Sequence, residues 1–386
     1  MQVHVWRAAV CDKLNDIDWS DFMKRTLLFC LAPALSLVVF ACVATADETH
    51  FLPGHLVVLR AGDGIVPLRL KQSPVFLDEF DPATLNAKPL LTVSVPTNGA
   101  NSFFFNGHAA TEGTLTRSAD HKLLTFGGYG GNLLSVDGTA SRTGIQRGIA
   151  TVDGSGAIHT YFYKSDTSNT KANPRGAVTD GDNNFWGCGN ANGTFFLNPP
   201  ADPVRFAAMP NSRAIKIINN NLYATINQAD AEAIDSHAGI YEFSPQPLPH
   251  NADTAIKLVV PAAASYREIV SFDLNPAGDT AYLADTSAGI EKYVKTGGVW
   301  KLAYNISIPQ TIPAGDNHGA GCFGLAVDFS ATNPVIYATT TEGYDGSANS
   351  NRVVRVVDTG ANATVTTIAQ SPGTNIVYRG LEFTPN

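Results

Sequence analysis

A strand–turn–strand phrase returns roughly every fifty residues along this chain, and that recurrence limits the possible folds more than any other feature. It reads TLTRSADHKLLTF at 114–126, GAVTDGDNNFWGC at 176–188, AIKIINNNLYAT at 214–225, VSFDLNPAGDTAYLA at 270–284 and GLAVDFSATNPVIYA at 324–338. A half copy, RGLEFTP, closes the chain at 379–385. In each full copy an apolar strand meets a turn rich in Asp, Asn, Gly or Pro, and a second apolar strand follows. Those turn residues supply the backbone angles that a tight reversal needs. A unit too small to bury its own apolar face must stack against its neighbours, so the repetition predicts an all-β propeller.

Three further strands, at 55–60, 73–79 and 90–95, have no partner strand before them, and RGLEF has none after it. The economical solution places all of them in one blade, with the C-terminal strand innermost, which closes the ring and leaves no open sheet edge. Six blades result: 379–385 with 55–96, then 110–164, 174–208, 212–260, 266–309 and 320–369. Seven blades are the alternative if 97–174 holds an extra one. No helix-period run follows residue 46, and the nearest candidate, 228–240, reads as a loop.

The N-terminal segment is not part of the ring. Met23-Lys24-Arg25 begins a basic stretch, 26–40 is apolar, and Ala44-Thr45-Ala46 is a small-x-small cleavage site. That pattern is a secretory signal peptide at 23–46. Residues 1–22 carry several Asp, unlike a signal sequence, and read as a mis-assigned start or an extension. The mature chain, 47–386, is expected in the periplasm or outside the cell. A loose lipobox at 39–42 makes a lipid anchor on Cys42 the alternative.

A formal net charge of −8 with only 16% charged residues excludes the basic patch of a nucleic-acid binder. The mature chain has no apolar run long enough to span a membrane and is expected to be a monomer. It keeps Cys188 and Cys322, which fall in opposite blades of a six-blade ring, so both are expected as free thiols.

SADHKLLTF and DLNPAGDTAYLAD resemble the repeats of lactonase-like, NHL and YVTN-type propellers. PGHLVVLRAGDG, VFLDEFDPAT and YRGLEFTP resemble exported bacterial propeller proteins. The resemblance covers nearly all of the mature chain. It implies the fold and leaves activity open, because propellers host many unrelated functions.

The residues just before each inner strand are the first place to look for a site. They are Glu112, Arg175, Arg213, Arg267 with Glu268, Cys322 and Arg379. Arginines gathered on one axis call for acids or an anion, and their planar forks suit carboxylate, phosphate or sulfate. The expected function is thus a binding or scaffold module, with an anionic small molecule or glycan at this mouth as the ligand. His108 and His318 lie in Gly-rich loops beside it. The alternative for the arginines is that they pair with Glu112, Glu268 and carbonyls and tie blades together. A metal-dependent lactonase-type hydrolase is a second reading. Glu112, Asn106, Asp180, Asn219 and Asp316 are its available oxygen donors, and Ca2+ is the cofactor such a set would take. No other cofactor is indicated, and no serine-hydrolase elbow or zinc pairing occurs. A surface scaffold that uses the blade rims is the third reading.

Overall fold

Each repeat phrase forms a two-strand hairpin in the computed structural model. The model describes residues 50–386 except 69–71, 108, 110, 132–144, 164–172, 191–192, 210, 228–236, 245–246, 263–267, 312–320 and 343–350. The expected signal peptide at 23–46, the start of 228–240, Arg267, His108, His318 and Asp316 therefore lie outside the described residues.

The turn chemistry acts as the sequence implies. Asn219 and Asn220 both take positive φ, 49° and 62°, and join Ile215–Ile218 to Asn221–Ile226. Two consecutive residues of that kind make the turn whose twist matches a hairpin. His121 and Asn183 hold positive φ at the corresponding reversals of their own hairpins.

The strands group into six antiparallel sheets, arranged as a six-bladed β-propeller. In blade one the C-terminal strand Val377–Phe383 lies inside Leu56–Ala61, Val75–Phe80 and Leu91–Ser94. Its register pairs Leu56 with Phe383 and Ala61 with Val377, so the ring closes as expected. Blade two carries an addition. Its strand Leu123–Gly130 pairs inward with Thr116–Arg117 at one end and with Phe103–Asn106 at the other. Phe103–Asn106 in turn holds Gln72–Ser73, which ties blade two to the first blade's connection. The long 97–174 stretch thus thickens a blade and adds none. The inner strands of blades three to six are Pro174–Thr179, Ile215–Ile218, Ile269–Leu274 and Cys322–Asp328.

An apolar cluster fills every interface between blades. Phe103, Phe105 and Phe126 meet Val57 and Leu77 between blades one and two. Trp186 meets Ile215 and Tyr241 between blades three and four. Tyr282 and Ile306 meet Leu325 and Ile336 between five and six. Equivalent groups lie between six and one, four and five, and two and three. Each fully buried large side chain contributes about 1.5–3 kcal/mol, so the core is a ring of six seams.

Hydrogen bonds stitch the same seams near the axis. Thr116 Oγ1 donates to the Ala177 carbonyl at 2.6 Å, Thr225 Oγ1 to Ile269 at 3.0 Å and Ser271 Oγ to Leu325 at 3.4 Å. Thr339 Oγ1 donates to the Arg379 carbonyl, and the Cys188 thiol to Arg213 at 3.6 Å. Between blades one and two the backbone does it directly, with Gly380 N–H on the Gly113 carbonyl at 2.8 Å. Cys188 and Cys322 are both free and buried. Burial pushes the Cys188 thiol up to about 12 and raises that of Cys322 as well. No helix among the described residues is long and apolar enough to cross a membrane.

A Cβ on Gly380 would come within 2.3 Å of Leu115 N and 2.4 Å of the Gly113 carbonyl, both backbone atoms that cannot swing aside. Gly380→Ala is therefore expected to cost about 2–3 kcal/mol of stability, as for overpacking in a closed core. Gly154→Ala, whose new methyl meets nothing nearer than 3.8 Å, is the control. Urea unfolding of both variants checks this, and equal midpoints would show that the inner strands can part at no cost.

Candidate functional site

The inner strands begin at one mouth of the axis and end at the other, and the two mouths differ. At the upstream mouth most inner strands start with a β-bulge. The register slips between Pro174 and Gly176, between Ile269 and Ser271, between Cys322 and Leu325, and opposite Leu59 between Tyr378 and Leu381. A bulge re-aims the extra side chain. The residues it re-aims are Arg175, Val270, Phe323 with Gly324, and Arg379 with Gly380. The position matching Arg175 and Arg379 in blade five is thus Val270, and in blade six Phe323. Val270 and Phe323 pack on each other as a small buried cluster. The upstream mouth is therefore basic on one side and apolar on the other.

Its arginines are held by the protein. Arg175 donates from Nε to Thr111 at 3.1 Å and from Nη1 to Asn211 Oδ1 at 2.5 Å and the Ser212 carbonyl at 2.8 Å. Arg213 donates to the same Asn211 Oδ1 at 3.1 Å and faces Glu268 at 3.4 Å. Arg379 Nη2 donates to the Asn106 and Gly107 carbonyls at 2.9 and 3.0 Å, and its guanidinium lies over Phe105. Glu112 sits between them, fully buried. Its Oε2 accepts the Asn106 N–H at 3.0 Å and its Oε1 the Tyr129 hydroxyl at 2.7 Å. Burial pushes its carboxyl up to about 7, against the opposing pull of Arg379 and the Tyr129 hydroxyl.

The downstream mouth holds a cavity of about 680 Å³, lined from blades one, two, four, five and six. Arg117, Lys216, Asp273 and Glu382 come from four inner strands, and Asp328 and Phe383 complete the wall. Lys216 is buried, with its ammonium 3.2 Å from Glu382 Oε2 and 3.6 Å from Asp273 Oδ2. Burial works to lower its pKa, but the two carboxylates prevail and raise it. Asp273 shifts up as well, because burial and Glu382 outweigh Lys216 and two backbone N–H donors. Asn386 also lines this cavity, and its N–H donates to the His121 carbonyl at 2.8 Å, so the chain end forms part of the rim.

Lys216, Asp273, Glu382 and Arg117 lie outside the positions just upstream of the inner strands that the sequence singles out. The signal was there: a charge interrupts four of the inner strands shortly before the turn, Lys216 in AIKII, Asp273 in VSFDL, Glu382 in RGLEF and Arg117 in TLTR. Of the oxygen donors considered for a metal, Asn106 and Glu112 adjoin upstream. Asn219 lies on the downstream rim, and Asp180 shapes its own turn by accepting from the Asp182 N–H at 2.8 Å. Among the described residues no group of three or more His, Cys, Asp or Glu is arranged to hold a metal ion.

No protein-family model matches the chain, and no curated protein matches it. Among solved structures it is similar to TolB from Acinetobacter baumannii, at 9% identity and a TM-score of 0.43, over 85% of this chain and 67% of that one. A hypothetical selenium-binding protein from Sulfolobus tokodaii matches at 8% identity and 0.47, over 86% and 94%. Dihydro-heme d1 dehydrogenase NirN, in complex with DHE, matches at 12% identity and 0.36, over 86% and 55%. These neighbours are β-propellers.

The Glu112 carboxyl gives the upstream mouth a pH signature. Its folded pKa of about 7 exceeds its ordinary 4.5, so folding takes up a proton between those values. The resulting penalty is absent below about pH 4.5, grows as pH rises and is complete above about 7, at a size on the order of 3 kcal/mol. Glu112→Gln, which keeps the shape and cannot ionise, is expected to stabilise the protein by about 1–3 kcal/mol at pH 8 and to change little at pH 4.5. Urea unfolding at both pH values reads this; the same effect at both would refute it.

Proposed function

We propose that this chain is a binding module whose ligand, a small polar molecule or glycan, sits on the propeller axis in the downstream cavity. The observation that carries this reading is the cavity itself. Its volume of about 680 Å³ falls within the range of small-molecule sites, ~300–1,000 Å³. A site on the axis lets several blades each contribute one side chain, and here four inner strands contribute a charge.

An anionic ligand at the upstream mouth fits the geometry less well. There the guanidinium groups of Arg175, Arg213 and Arg379 meet Thr111, Asn211, Glu268 and main-chain carbonyls. That arrangement supports a blade tie. Among the described residues four large apolar side chains are exposed, Ile65, Leu85, Leu90 and Val299, which is little apolar surface for a rim scaffold. We read the chain as exported, on the strength of the 23–46 pattern alone. N-terminal sequencing of the protein from the periplasm or medium is expected to start at Asp47, and an intact Met1 or Met23 would end that reading.

Ala119 is exposed on the cavity rim, so Ala119→Trp adds bulk at the opening and none to the core. A panel of neutral and acidic monosaccharides is screened by thermal shift. A true ligand at about one hundred times its Kd stabilises the folded state by about 2.7 kcal/mol. It should raise Tm by a few degrees, and Ala119→Trp should remove the rise while leaving the unliganded Tm unchanged. A rise that survives Ala119→Trp would place the ligand elsewhere.

A further inference from the structure

We propose that the downstream cavity recognises a carboxylate, with Arg117 as the fork that takes it, and that the ligand is a small sugar acid. The inference rests on the binding-module reading and adds the chemistry of the ligand.

Arg117 ends the short inner strand Thr116–Arg117, is half-buried and lines the cavity. Its guanidinium lies over the Phe383 ring with 5.9 Å to the centroid. That contact steadies the planar group and leaves its N–H edges available. Among the described residues no hydrogen bond or ion pair takes up those N–H groups. Arg175, Arg213 and Arg379 differ, since each donates to acceptors of the protein itself.

Among the described residues the neighbouring acids face donors other than Arg117. Asp273 accepts Leu274 N–H at 3.0 Å and Val327 N–H at 3.2 Å. Glu382 accepts Phe383 N–H at 2.9 Å and the Lys216 ammonium at 3.2 Å. Asp120 accepts the Ser118 hydroxyl at 2.7 Å and pairs with Lys122 at 3.3 Å. The Arg117 charge also opposes protonation of two bases beside it: at His121 it adds to burial, which is the larger cause of the lowered pKa, and at Lys216 Asp273 and Glu382 outweigh it. A guanidinium fork matches the two oxygens of a carboxylate. Asp328 and Asn220 on the same rim give hydroxyl groups an acceptor and an amide. A carboxylate that also carries hydroxyls meets all of these groups.

The test uses the full-length chain with three probes: D-glucuronate, D-glucose as its neutral counterpart, and inorganic phosphate. Calorimetry is expected to show glucuronate binding at least tenfold tighter than glucose. Arg117→Gln should remove that preference, while Arg175→Gln should keep it. Phenylglyoxal labelling read by mass spectrometry needs no ligand: Arg117 should react at least tenfold faster than Arg175 and Arg379, and glucuronate should protect it. Glucose and glucuronate binding alike, both blocked by Ala119→Trp and neither altered by Arg117→Gln, would overturn the carboxylate inference and leave the cavity reading standing. Binding that Ala119→Trp does not touch would overturn both. Phosphate protecting Arg117 better than glucuronate would overturn the sugar-acid class. Labelling of Arg117 no faster than that of Arg175 would overturn the free fork.

Discussion

The inner strands of neighbouring blades approach until backbone meets backbone, and most of the structure follows from that contact. Gly380 N–H reaches the Gly113 carbonyl, and Gly324 sits against the Arg379 carbonyl with room for no side chain. A hydroxyl or thiol from one blade reaches the inner-strand carbonyl of the next around most of the ring. Buried carbonyls need donors, so these bonds are obligatory once the strands are this close. The C-terminal strand completes the ring, and its tail is tied to the first blade by Thr384, which bonds the His55 and Leu52 carbonyls. Sequence ends that lie hundreds of residues apart thus share one sheet.

Close approach has opposite consequences at the two ends of the axis. Upstream, the bulges crowd extra residues into the ring, and Arg175 and Arg379 at two of them meet the carbonyls of Ser212, Asn106 and Gly107. A guanidinium has several donors and no acceptor, so it is well suited to gather such carbonyls from separate segments. Arg379 does this between the last strand and the blade-two extension. Downstream, the strands run out into turns and the ring widens into a cavity. Lys216, Asp273 and Glu382 are tolerated inside otherwise apolar strands there because they pair with one another, and Arg117 because it is only half-buried.

The fold was legible because its signals are local. AIKIINNNLYAT contains both strands and the turn of one hairpin, and the orphan strands at each end implied closure. The blade-two extension was not legible, since Phe103–Asn106 pairs with Leu123–Gly130 across an intervening loop that gives no periodic signal. The arginines were visible as residues, but not what they meet. Their acceptors are main-chain carbonyls and amide side chains of other segments, and Arg175 and Arg379 are aimed at them from bulges with one extra residue. Counting upstream from each strand also assumed a common register. The bulge position falls on Arg175 and Arg379 but on Val270 in blade five, three residues past the Arg267 that counting selected.

The Lys216–Asp273–Glu382 cluster points the same way as the cavity. A buried ion pair returns little net stability, because desolvating the charges offsets their attraction, and apolar replacements are often neutral or better. Blade six shows that this fold accepts that solution: Val327 lines the same cavity from an inner strand with no charge at that position. The ring therefore does not require three charges at its floor. What they provide is a floor that is polar yet internally satisfied, with the lysine neutralised by acids whose other oxygens are held by backbone N–H groups. Such a floor fixes the polarity of the cavity without competing for the guanidinium beside it. Arg117 is left as the charged group with donors to offer, in a space of a size that admits a small molecule.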